Sequence, residues 1–130
     1  MKLVVIESPY AGDVEGNVAY ARQCLRHSLD QGEAPFASHL LYTQPTVLDD
    51  TVERERLRGI QAGYEWMEAA DIVAFYIDRG WSPGMLKALK MARMLHKVIE
   101  VRALREGLYQ TPREAMLLLE EAANERQRQV

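Results

Sequence analysis

Residues 69–85 read AADIVAFYIDRGWSPGM, and the reading of this stretch decides the fold. Residues 72–77 form an unbroken apolar run of β-branched, aromatic and small side chains, which suits a strand covered on both faces at the centre of a parallel sheet. Asp71 introduces that run. Behind it, Asp78, Gly80 and Ser82 mark a turn, and Ser82 followed by Pro83 is a strong helix start, with serine as cap and proline at the first helical position. A buried strand passing through a short turn into a helix is half of a βαβ unit.

Working outward from it, the same alternation continues in both directions. Residues 2–6 read as a first strand. Val18, Ala21, Leu25 and Leu29 recur at three- and four-residue steps, predicting a helix over residues 15–31 that stops at Gly32. A second strand is expected over residues 34–41, although Pro35, Ser38 and His39 interrupt any clean alternation. Residues 42–50 read as a loop. Residues 52–69 read as a helix with Thr51 as cap and an apolar stripe of Leu57, Ile60, Tyr64 and Met67. After the quoted stretch come a helix over residues 84–95, a strand over 98–101 and a last helix opening at Pro112. The order predicts an α/β fold, a Rossmann-like or flavodoxin-like three-layer sandwich with four or five mainly parallel strands, the first and third as neighbours. Residues 1–130 read as one domain.

Composition narrows the function. With 130 residues, 48% of them hydrophobic, the chain has material for one core. Sixteen basic against nineteen acidic residues give a net charge of -3, so no general attraction to a phosphate backbone exists and a nucleic-acid duplex is not an expected partner. Cys24 is the single cysteine, which excludes an internal disulfide and reads as a buried thiol in a reducing, cytoplasmic setting. The apolar stretch at residues 3–6 is far shorter than a signal-peptide core, and no run of about 18 apolar residues predicts a membrane span. Neither GxGxxG nor GxxxxGK[ST] occurs, so neither a nicotinamide cofactor nor ATP hydrolysis is expected. No cluster has metal-ligand spacing and no nucleophile elbow is present, so no metal, no cofactor and no serine hydrolysis is expected.

In an open parallel sheet the ligand crevice lies beyond the carboxyl ends of the strands, where loops converge and helix N-termini point. Three loops fall there. The first holds Glu7, Ser8, Pro9, Tyr10, Gly12 and Asp13; the second follows His39 and includes Tyr42 and Asp49; the third holds Asp78, Ser82, Gly84 and Met85. Each has a plainer reading: Asp13 as a helix cap, Ser82 as a cap with Asp78 paired to Arg79, and His39 as a satisfied structural group. The expectation is that Tyr10, Gly12, Asp78, Ser82 and Gly84 line one pocket.

SPYAGD at residues 8–13 with Asn17 downstream, GIQAGYEWMEAADIVAFYIDRGWSPGM at residues 59–85, and the closing strand with Arg102 together resemble the nucleoside 2-deoxyribosyltransferase-like superfamily. That group includes small phage and bacterial proteins of uncharacterised function and the deoxynucleoside 5'-monophosphate N-glycosidases. The likeness spans residues 2–102 and implies a Rossmann-like domain that binds a nucleoside or nucleotide, with Asn17 among the binding residues and a partner subunit completing the pocket. One departure matters: the superfamily carries a catalytic glutamate just after the glycine turn, and residues 84–88 here read GMLKA, with no carboxylate. Asp78, Asp13 and Glu7 remain as substitutes.

The resemblance therefore implies either an enzyme of the N-glycosidic bond or a non-catalytic protein that senses or sequesters a nucleotide. In the enzyme, Asp78 or Glu7 serves as nucleophile or charge stabiliser, Tyr10 orients the sugar and Ser82 holds a phosphate. A structural subunit is the third reading. Tyr64, Trp66 and Met67 on one helix and Met85, Met91 and Met94 on another suggest more apolar surface than one small sheet covers, predicting a homodimer or larger symmetric assembly.

Overall fold

The computed structural model describes residues 1–128. Four parallel strands form the sheet: β1 (Leu3–Glu7), β2 (Ala34–Phe36), β3 (Ile72–Tyr76) and β4 (Val98–Arg102), in the spatial order β2-β1-β3-β4. Helices α1 (Val14–Asp30), α2 (Ser38–Leu41), α3 (Glu53–Ala69), α4 (Pro83–Met94) and α5 (Pro112–Arg128) complete the chain. β1 and β3 are neighbours, aligned from Val4 opposite Ile72 to Glu7 opposite Phe75. From β1 the chain moves to β2 on one side, and from β3 to β4 on the other. The loops after β1 and β3 thus part at a topological switch point and leave a crevice between them.

All five residues of β3 are buried, and their alternation feeds two cores. Val73 and Phe75 join Val5, Met67, Met85 and Leu89 beneath α3, α4 and α5. Ile72, Ala74 and Tyr76 join Val4, Ile6, Tyr20 and Cys24 beneath α1. A strand buried on both faces tolerates no polar side chain, which is why residues 72–76 carry none that is unsatisfied. The Cys24 thiol is buried and free, as its isolation in the sequence implied.

The second strand differs from expectation. It ends at Phe36 after three residues, and Ser38–Leu41 form one helical turn instead. Pro35 has no N–H to donate and β2 lies at the sheet edge, so little holds an extended conformation beyond Phe36. His39 consequently sits on α2 and not at a strand end. Thr51 does not cap α3: Val52 holds that position without a side-chain bond, and the Thr51 hydroxyl donates to Asp49 Oδ1 at 2.6 Å. The other boundaries move by one or two residues.

The apolar surplus that suggested a dimer is largely taken inward. Met67 and Met85 are buried, and Tyr64 and Met91 pack against the core. Trp66 and Met94 remain exposed, at 49% and 63%, and Trp66 stacks on Phe36 with ring centroids 4.7 Å apart. Among the described residues no helix is long and apolar enough to cross a membrane.

Candidate functional site

A cavity of about 290 Å³ opens where the loops after β1 and β3 diverge, roofed by α2, the segment behind it and α3 as far as Tyr64. Small-molecule sites are usually of this kind, concave and mostly apolar with a few convergent polar groups. Glu7, Ser8 and Tyr10 form one wall, from the end of β1. Ser82, Gly84 and Met85 form the opposite wall, at the N-terminus of α4, and His39 enters from α2. Seven of the residues singled out from sequence therefore meet here.

Glu7 is the carboxylate of the inner wall. Among the described residues no donor bonds to its side chain, and desolvation pushes its pKa up to about 8, so at neutral pH it is mainly protonated. Across the cavity the Tyr64 hydroxyl is raised too, first by burial and then by the Glu7 charge. Ser8 Oγ lies 2.7 Å from His39 Nε2. Burial holds the His39 imidazole down to about 4, so that ring is neutral at neutral pH. Ser82 Oγ accepts from the Met85 N–H at 3.1 Å, capping α4 and leaving its own hydroxyl proton to donate, while the positive end of the helix faces the cavity.

Five of the expected residues lie outside the cavity lining, each with a local task. Asp78 turns away from it: its carboxylate accepts from the Tyr20 hydroxyl at 2.6 Å and from the backbone N–H groups of Leu104 and Arg105, both at 2.8 Å. It does not pair with Arg79. Burial alone would raise the Asp78 carboxyl, but those hydrogen bonds hold it below the usual carboxylate value. Asn17 donates to the carbonyls of Tyr10 and Ala11 at 3.0 and 3.1 Å and accepts from Arg79 Nε at 2.8 Å. It thereby shapes the turn that presents Tyr10. Asp13 caps α1 through the Gly16 N–H, as its plainer reading had it, and it, not Asp78, pairs with Arg79, at 3.2 Å. Gly12 has φ 96°, the left-handed conformation its neighbours would resist, and Pro9 is buried behind the wall.

Sequence reasoning missed the α3 wall. Arg56, Gly59, Ile60, Gly63 and Tyr64 all reach the cavity, as does Lys87 from α4. The signal was present in the spacing: positions 56, 59, 60 and 63 share one helix face. Neither Arg56 nor Lys87 makes an ion pair among the described residues. Ala88, 3% exposed, lines the cavity at the end of the segment where the resemblance called for glutamate. Among the described residues no three His, Cys, Asp or Glu side chains converge as a metal site would require.

Solved structures of two 2-deoxyribosyltransferases are among those that share this architecture. The 2-deoxyribosyltransferase from Bacillus psychrosaccharolyticus superposes with a TM-score of 0.58 at 20% identity, covering 83% of this chain and 77% of that one. The Leishmania mexicana enzyme of the same name gives 0.57 at 14% identity, covering 81% and 66%. At such identities the likeness speaks for the fold, which is that of the nucleoside 2-deoxyribosyltransferases. Comparison with curated proteins gives no significant match. Residues 2–102, the span of the sequence resemblance, match the model of the Domain of unknown function DUF7768, and the chain belongs to that family.

Proposed function

We propose that this protein acts on the N-glycosidic bond of a nucleoside or nucleoside monophosphate, with Glu7 as its general acid. One observation carries the reading: a carboxyl group with no hydrogen-bond partner among the described residues, held neutral by burial, lines the cavity at the switch point of a deoxyribosyltransferase-type fold. Breaking the bond between the anomeric carbon and the base sends an electron pair onto the base, and a proton delivered to a ring nitrogen makes that departure easier. Glu7 supplies the proton. Once it has done so it is an anion facing the developing oxocarbenium charge, so the step that creates positive charge also creates its stabiliser. Tyr10 orients the sugar, and the Ser82 hydroxyl with the α4 N-terminus suits a phosphate.

Incubation with a panel of deoxynucleosides and their monophosphates, read by chromatography for free base, tests this. Base release by the native protein that falls at least about 100-fold in Glu7→Gln is expected. No release from any member of the panel refutes it.

A non-catalytic nucleotide-binding role is the second reading, favoured by the lack of any carboxylate in residues 84–88, the stretch where the resemblance calls for a glutamate. An intact nucleotide retained through gel filtration, without turnover, is its signature.

A further inference from the structure

If Glu7 gives its proton to the leaving base, another group must take a proton from whatever attacks the anomeric carbon. Ser8 and His39 are placed for it. Their side chains are 2.7 Å apart, both line the cavity that Glu7 lines, Ser8 is 6% exposed and His39 is half-buried, so the hydroxyl faces the cavity while the ring keeps a route to solvent. Among the described residues no carboxylate bonds to the His39 ring, so nothing holds it as a cation.

We infer that Ser8 and His39 form a proton relay that activates a water molecule for attack on the anomeric carbon, which makes the protein a hydrolase rather than a transferase with a carboxylate ester intermediate. This rests on the reading of Glu7 as acid. The water oxygen forms its bond to the anomeric carbon while the carbon–nitrogen pair departs with the base. The water proton passes to Ser8 Oγ as the Ser8 proton passes to His39 Nε2, which requires the resting imidazole to carry its proton on Nδ1. The imidazolium then loses that proton to solvent, and Glu7 regains one from solvent, so every proton is accounted for. The opposed environments support the division of labour: between about pH 4 and 8 the carboxyl group is protonated while the imidazole is not, so the acid and the base are armed together.

Crossed rescue tests it. Native protein, Glu7→Gln, His39→Gln and Ser8→Ala are assayed with a purine deoxynucleoside, with a 7-methylguanine nucleoside whose leaving group needs no proton, and with added azide, which attacks without deprotonation. His39→Gln is expected to lower kcat about 100-fold with KM little changed, and Ser8→Ala, which keeps the backbone and volume nearly intact, to lower it in the same direction. Azide should recover both variants, with a glycosyl azide as product, and the methylated substrate should not. Glu7→Gln should show the reverse pattern. Full activity in Ser8→Ala or His39→Gln, or recovery of either by the methylated substrate alone, overturns the relay while leaving Glu7 as acid. Native protein that releases base from no substrate overturns both.

Discussion

Tyr20 donates its hydroxyl to Asp78 Oδ1 at 2.6 Å and, through the same oxygen, accepts the Asp78 N–H at 2.9 Å. The contact ties α1 to the end of β3, and the remaining capacity of that carboxylate goes to the backbone that follows β4. Three segments distant in sequence are thus fastened at the sheet edge beside the cavity. The aspartate that looked most like a catalytic group is a staple for the loops beside the cavity.

Removing the staple should therefore register in stability. Asp78→Ala leaves the Leu104 and Arg105 amides and the Tyr20 hydroxyl without their acceptor, and a loss of about 3 kcal/mol is expected in urea denaturation. Tyr20→Phe removes one bond to the same carboxylate and should lose about 1 to 2 kcal/mol. Because hydrogen bonding holds the Asp78 carboxyl below its ordinary value, its contribution is present above that value and fades as pH falls through the folded pKa. The gap between native protein and Asp78→Ala should narrow in acid.

How far the sequence could be read follows from which interactions are local. The run at residues 72–76 and the Ser82–Pro83 helix start are set by neighbours in the chain, and both stand where period and capping put them. The choice between Glu7 and Asp78 is not local. Both sit at the end of an interior strand, and only the arrival of Tyr20, 58 residues away, and of Leu104 and Arg105, 26 and 27 away, occupies one and leaves the other without a partner among the described residues. The α3 wall is half legible: the spacing puts Arg56, Gly59, Ile60 and Gly63 on one helix face, but that this face meets a cavity depends on the segments behind β1 and β3, which are distant in sequence.

Glu7 should impose a basic limb on activity. An acid must be protonated to act, so kcat/KM of the native protein should fall as pH rises through about 8. The cavity also holds the His39 and Tyr64 side chains, but the imidazole is already neutral there and burial raises the phenol further. The same shift predicts a stability effect of opposite benefit. Between the ordinary 4.5 and about 8 the unfolded chain ionises Glu7 while the fold keeps it neutral, so stability declines as pH rises through that window. Glu7→Gln should match native stability at pH 4 and exceed it at pH 8, by about 2 kcal/mol once water in the cavity is allowed for, as thermal or urea unfolding at the two pH values will read.

Ser82 has two separable tasks. Ser82→Ala removes the acceptor that caps α4, an expected loss of about 1 kcal/mol in unfolding free energy. If the free hydroxyl proton also meets a phosphate, the variant should bind a nucleoside monophosphate more weakly by about 0.5 to 1.5 kcal/mol and the corresponding nucleoside equally well. Calorimetric titration of both ligands separates the tasks, and equal weakening of the two would remove Ser82 from phosphate recognition.

Gly63 governs the roof of the site. A Cβ built there would lie 2.9 Å from Ser38 Oγ, which a rotation of that hydroxyl can relieve, and 3.2 Å from Ser38 Cβ, a tight contact that asks α2 to give by a few tenths of an ångström in Gly63→Ala. Two effects then oppose. Alanine favours the helix by about 0.5 to 1 kcal/mol over glycine, while the crowding costs a similar amount or more, so global stability should change little. Position is another matter, because α2 carries His39, and an outward shift lengthens its 2.7 Å approach to Ser8 toward the far end of the hydrogen-bond range. Activity or ligand affinity should accordingly fall more than stability does. Ser38→Ala removes the nearer of the two contacts, so the double variant Gly63→Ala, Ser38→Ala should recover part of the loss that Gly63→Ala shows alone. A double-mutant cycle with zero coupling between residues 38 and 63 would mean that α2 does not transmit the displacement to His39.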